Sequence, residues 1–156
     1  MPGWLTAPID WWVATAPDLI GPVYIFVNAG HILSLGVLVG AVVALDLRLL
    51  GAFRATPLAQ FVPPLIRLAG FGLAFALLTG VLLFSVQPAH YLENTAFRIK
   101  LALIVVGIVN SWLGRSLTRG PRGLHGSPSA LLRFTAALSL VIWVSAVLAG
   151  RWIAFL

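Results

Sequence analysis

The chain has 156 residues, 60% hydrophobic and only 9% charged, with a net charge of +6, three histidines and no cysteine. A water-soluble domain carries about 25% charged residues, so a soluble globular enzyme is excluded. The absence of cysteine excludes disulfides, thiol catalysis and thiolate metal clusters.

What remains is a multi-span membrane protein, in keeping with a mean hydropathy of +1.03. The opening stretch MPGWLTAPIDWWVATAPDL holds no lysine or arginine and three tryptophans, which is unlike a cleavable signal peptide. Residues 1–19 are expected as an interfacial segment, with Trp4, Trp11 and Trp12 at headgroup level.

A spanning helix needs about 20 mostly apolar residues. Four stretches qualify, at about 20–46, 65–87, 97–117 and 130–152. The connections between them are rich in Gly, Pro, Ser and Asn. Residues 20–156 are therefore expected as an all-α, integral membrane four-helix antiparallel bundle. Thr56-Pro57 reads as an N-cap followed by proline at the first helical position. Pro63-Pro64 imply that the second span restarts or kinks there. Gly36 and Gly40 form a GxxxG on the first span, and Ser145 with Ala149, like Ala146 with Gly150, form small pairs on the fourth. Such residues let helix backbones approach closely in lipid.

The first and third connections and their flanks hold Arg48, Arg54, Arg67, Arg115, Arg119, Arg122 and Arg133. The opposite side holds Arg98, Lys100 and Arg151. Seven cations against three place those two connections in the cytoplasm and both chain ends outside. The sequence pI near 11.5 then reflects a surface facing anionic lipid heads. No basic run calls for nucleic acid.

Tyr24, Asn28 and His31 share one face of the first span, being spaced by four and three. Counted from residue 22 at 1.5 Å per residue, His31 lies roughly 13 Å deep. An ionisable group at such depth is a functional-site candidate. It can simply be a neutral imidazole bonded to another helix, through Asn28, Thr79 or Ser145. It can also be an axial haem ligand, since a bundle core suits a porphyrin. His90, Arg98 and Lys100 in the outer loop are the candidates for a second ligand and for propionate partners. Asp46 ends the first span, and Arg67 on the second is its expected ion-pair partner. His125 is expected in solvent. No P-loop, base-activated serine or carboxylate pair is present, so an enzyme is not expected.

The segments HILSLGVLVGAVVALDLRLLG, AGFGLAFALLTGVLLFS, YLENTAFRIKLALIVVGIVNS and LVIWVSAVLAGRWIAF resemble, in that order, an uncharacterised family of bacterial four-span inner-membrane proteins. Asn94-Thr95 departs from the expected Asn-Pro, with Thr95 able to cap the third span. The layout is loosely similar to small cytochrome b-like and copper-resistance membrane proteins, a likeness of fold alone.

The resemblance implies membrane class and topology and brings no activity. Three functions stay open: a non-catalytic accessory or scaffold subunit packed on a larger complex or on itself; a b-type haem electron-transfer protein using His31; and quinone or lipid binding at Tyr24, Asn28 and His31. The orientation is directly testable. A reporter active only in the cytoplasm should be active when inserted at Arg54 and silent at either chain end; the reverse pattern overturns the assignment.

Overall fold

The computed structural model describes residues 3–119, 124 and 127–155, with side chains described from Asp10 onward. The side chain of Trp4, and Arg122 and His125 altogether, lie outside the described residues. All regular structure among the described residues is helical: α1 Gly3–Ile20, a 3-10 turn Gly21–Val23, α2 Tyr24–Leu50, α3 Leu58–Val86, α4 Pro88–Glu93, α5 Thr95–Thr118, α6 Ala130–Trp152 and a final 3-10 turn Ile153–Phe155. Four segments are long and apolar enough to cross a membrane: Asp10–Leu50, Leu58–Val86, Thr95–Thr118 and Ala130–Phe155. Large side chains such as Phe71, Phe75, Val105, Val109 and Leu148 point outward from them. Hydrocarbon makes that exposure inexpensive, where water would not.

Helix ends follow local chemistry. The first span was expected to stop near residue 46, yet α2 runs to Leu50 because Gly51 supplies the left-handed residue that closes it (φ 119°). The Gly51 N–H donates to the Arg48 carbonyl, and the Ala52 N–H to the Leu47 carbonyl at 2.8 Å, a Schellman closure. Asn94, rather than Thr95, caps α5 by accepting from the Phe97 N–H at 3.1 Å. Ser129 caps α6 through the Leu132 N–H.

The second span departs further from expectation. It starts at Leu58 with Pro57 as its cap residue and passes through Pro63 and Pro64 without restarting. Each proline removes one N–H donor. The carbonyls thereby freed belong to Ala59 and Gln60, both exposed near the helix end, where polar surroundings can take them. The short α4 lies in the stretch expected to be only a connection.

In space the long helices run α3, α2, α6, α5, with neighbouring pairs packed and α3 and α5 barely touching. Leu49, Leu58, Val62, Leu132 and Ala136 pack together at the arginine-rich end. Leu38, Val42 and Trp143, with Ala69 and Leu73, pack nearer the middle. The segment before α2 is docked as well: the Trp12 indole N–H donates to Ser85 on α3 at 2.9 Å, and Ala16 and Ile20 are buried.

The tightest approach is between α2 and α3. A Cβ placed on Gly72 would come within 2.7 Å of the Leu38 backbone nitrogen. Gly36 and Gly40, expected to pack helices, instead meet open space. The reason is azimuthal: each sits two residues from Leu38, and at about 100° per residue two steps carry it to the far side of α2. Ser145 and Ala149 are half-buried, whereas Ala146, beside Ser145, is buried.

Gly72→Ala is therefore expected to lower stability by about 1–3 kcal/mol through overpacking. Gly36→Ala should leave the monomer unchanged or stabilise it by up to about 1 kcal/mol. Reversible denaturation of purified variants in mixed micelles checks both.

Candidate functional site

The α2–α3 contact sets the register for everything polar between those helices. His31 lies seven residues before Leu38 and Thr79 seven after Gly72, about two turns along each helix in opposite directions. They meet: His31 Nδ1 is 2.9 Å from Thr79 Oγ1. Thr79 is one of the partners expected from the sequence. Gly80 makes room for the ring, since a Cβ there would lie 3.2 Å from His31 Cε1.

The direction of that bond follows from a proton count. The Thr79 hydroxyl donates to the Phe75 carbonyl at 2.6 Å. A hydroxyl has one proton, so its oxygen can only accept from His31. Nδ1 therefore carries the hydrogen and Nε2 keeps a lone pair. This is the arrangement of a metal-ligating histidine held by its second nitrogen, and equally of an acceptor waiting for a donor.

Around it the expected residues divide. Tyr24 and Asn28 are half-buried on the same face as His31. The Tyr24 hydroxyl meets that of Tyr91 on α4; burial first, then this neighbour, pushes the Tyr91 phenol above its ordinary pKa, so it stays a neutral hydroxyl.

Tyr91 joins an aromatic cluster with Phe84 and Phe97. The latter two stack at 5.6 Å and close this end of the gap between α3 and α5. Lys100 turns inward. It is half-buried, its aliphatic stem and Nζ lie against Gly150 of α6, and its charge reaches His31. His90 and Arg98 do not join the site. Both are exposed, with His90 set edge-on against Tyr91 and Arg98 bonded to Thr95 on its own helix. No group of three or more metal-ligating side chains of the His, Cys, Asp and Glu types exists among the described residues.

The expected Asp46–Arg67 ion pair is not formed. Asp46 is 2% exposed and its Oδ2 has no hydrogen-bond partner. The polar group beside it is the Ser139 hydroxyl of α6. Arg67 is exposed. Because α3 runs unbroken through Pro63-Pro64, Arg67 sits five residues before Gly72, about 140° round the helix from the face that meets α2.

Asp46 lines a cavity of about 280 Å³ between the four long helices, together with Trp143. The Trp143 indole N–H is likewise buried without a partner. Sequence reading missed Trp143. Its signal was its position: a tryptophan in mid-span, away from the interfaces where tryptophan concentrates. On α5, Asn110 is satisfied, donating to the Thr135 carbonyl at 3.0 Å.

A family described as "Family of unknown function (DUF6644)" matches residues 12–156, and the chain belongs to it. No curated protein and no solved structure matches the chain.

Removing the acceptor tests the His31 anchor. Thr79→Val should cost roughly 1 kcal/mol, typical of interhelical hydrogen bonds in lipid, whereas Thr79→Ser should restore most of it. Equal stability of all three proteins in mixed-micelle denaturation would contradict the bond.

Proposed function

Taking the chain as a DUF6644 membrane protein, we propose that it holds a b-type haem in the half of the bundle that contains His31, with Nε2 of His31 as axial ligand. The observation that supports this is the unclaimed lone pair on an imidazole whose other nitrogen is already anchored to Thr79. A haem there supplies a one-electron couple within the bilayer. The chain's own contribution is positional. Thr79 and the Phe75 carbonyl fix the ring plane, Gly80 leaves it space, and the Lys100 ammonium offers a counter-charge to a propionate. The donor set fits one axial position. His90 lies outside the bundle and does not complete a bis-histidine pair. In this reading the arginine-rich connections face the cytoplasm of a bacterial inner membrane, both chain ends face the periplasm, and His31 lies in the outer leaflet.

A second reading, an accessory subunit associating with another membrane protein or with itself, is favoured by one observation. Gly36 and Gly40 face open space, a surface of the kind used by helix pairs in lipid. Quinone or lipid binding at the same His31 nitrogen remains the third reading carried by the Tyr24, Asn28 and His31 stripe.

Protein purified in mild detergent from haem-replete cells should give a reduced-minus-oxidised spectrum with a Soret and an α band. The bands should vanish in His31→Ala and weaken in Thr79→Val. A featureless spectrum overturns the haem reading. For the accessory reading, the double variant Gly36→Leu with Gly40→Leu should stay folded yet lose its associated species in native electrophoresis; a wild type that always runs as a lone monomer contradicts it.

A further inference from the structure

The cavity in the arginine-rich half of the bundle is independent of the His31 site and has its own chemistry. Its walls are apolar, built from residues such as Leu38, Val42, Val62, Ile66, Leu73 and Ile108. Polar side chains also line it, among them Asn110, Ser111, Thr135 and Ser139, and two buried polar atoms, on Asp46 and Trp143, lack partners. Asp46 is 2% exposed and Trp143 4% exposed, and neither Asp46 Oδ2 nor Trp143 Nε1 has a hydrogen-bond partner. An unmatched carboxylate and an unmatched indole N–H are each costly in a low-dielectric core. Two such atoms on residues that line one cavity are a pattern that calls for a third molecule.

The volume, about 280 Å³, is near the lower end of small-molecule sites. Access is lateral. α3 and α5 barely touch, so the cavity communicates with the bilayer between them, and Ser111, Trp112 and Arg115 of α5 stand along that side.

The two groups select the ligand's head. Trp143 can only donate and so requires an acceptor. Asp46 Oδ2 requires a donor when the carboxyl is ionised. An alkylammonium would satisfy Asp46 and leave the indole unmatched. An ether or ester would satisfy the indole and leave the carboxylate unmatched. A hydroxyl does both from one oxygen, donating to the carboxylate and accepting from the indole.

We propose that this cavity binds a membrane-soluble hydroxyl compound, a phenol or alcohol with a ring-sized apolar body, entering between α3 and α5, with Asp46 and Trp143 holding the hydroxyl. Asp46 and Trp143 are then ligand-binding residues, and the unpaired acid is explained without an ion pair. Arg115 marks the polar end of the entrance.

The test uses the full chain in lipid nanodiscs with 4-hexylphenol as probe, and with 4-hexylanisole and hexylammonium as comparators. The readout is the Trp143 indole N–H resonance, assigned by its loss in Trp143→Phe. The phenol should shift it saturably. The anisole and the ammonium should each bind about tenfold more weakly or worse, the factor expected for one lost hydrogen bond. Asp46→Leu should weaken the phenol at least tenfold. It should also raise the thermal midpoint of the ligand-free protein, because an unmatched buried carboxylate is replaced by a well-packed apolar group.

Gly70 lines the cavity, and a Cβ there meets nothing within 4 Å. Gly70→Phe should therefore fold normally and abolish the phenol shift, while His31→Ala leaves it intact. Equal shifts by phenol and anisole, tighter binding of the ammonium, undiminished binding in Asp46→Leu, or no saturable shift with any probe would each overturn the proposal.

Discussion

Two polar positions of α2, His31 and Asp46, take their places from one steric contact. Gly72 has no side chain where the Leu38 backbone passes, so α2 and α3 close to backbone distance and lock their register. In hydrocarbon no water competes for the helices, and van der Waals packing of this kind is the main force that draws them together. Two turns from the contact, the same register brings His31 to Thr79. In the other direction it carries Asp46 to the side of α2 that meets α6 and Ser139. A larger residue at position 72 would disturb both polar positions at once, although it touches neither.

Because α2 sits between α3 and α6, and α6 between α2 and α5, the outer two helices are left without each other. The aromatic stack of Phe84 and Phe97 bridges them at one end, and the space opens toward the other. A closed four-helix ring would have had to bury Asp46 and Trp143 against apolar neighbours. The open arrangement leaves them facing a cavity instead. The two halves thus hold complementary equipment: an acceptor nitrogen beside a lysine in one, a carboxylate beside an indole donor in the other. Between them lie Leu38, Val42 and Leu73, and among the described residues no chain of ionisable groups joins the two.

What the sequence made legible was depth, and what it concealed was azimuth. Hydropathy located four spans, including the start of α6 at residue 130. His31 was visible as an acid–base group far from either interface, and Thr79 stood at matching depth. Asp46 and Arg67 also stood at matching depth, yet they point apart, because depth alone says nothing about rotation about the helix axis. The same blindness made Gly36 and Gly40 look like packing residues. Gly72, the first residue of a Gly72-Ala76-Gly80 stripe on α3 that sequence reading passed over, does that work. Pro63-Pro64 suggested a helix start that a few exposed carbonyls at the true start render unnecessary. Lys100 looked like a surface cation, and the absence of a side chain at Gly150 opposite it makes room for its stem to lie inward.

The central claim is that the proton on the Thr79 hydroxyl, committed to Phe75, fixes the tautomer of His31 and leaves Nε2 free. Solid-state NMR of ¹⁵N-histidine-labelled protein in lipid bilayers, freed of any bound haem, tests this directly. The His31 signals should report a neutral ring with hydrogen on Nδ1 and none on Nε2, with the Nδ1 resonance perturbed by Thr79→Val. Hydrogen on Nε2 with a bare Nδ1 would mean that Thr79 donates to the ring, and the assignment of a free ligating nitrogen would fail.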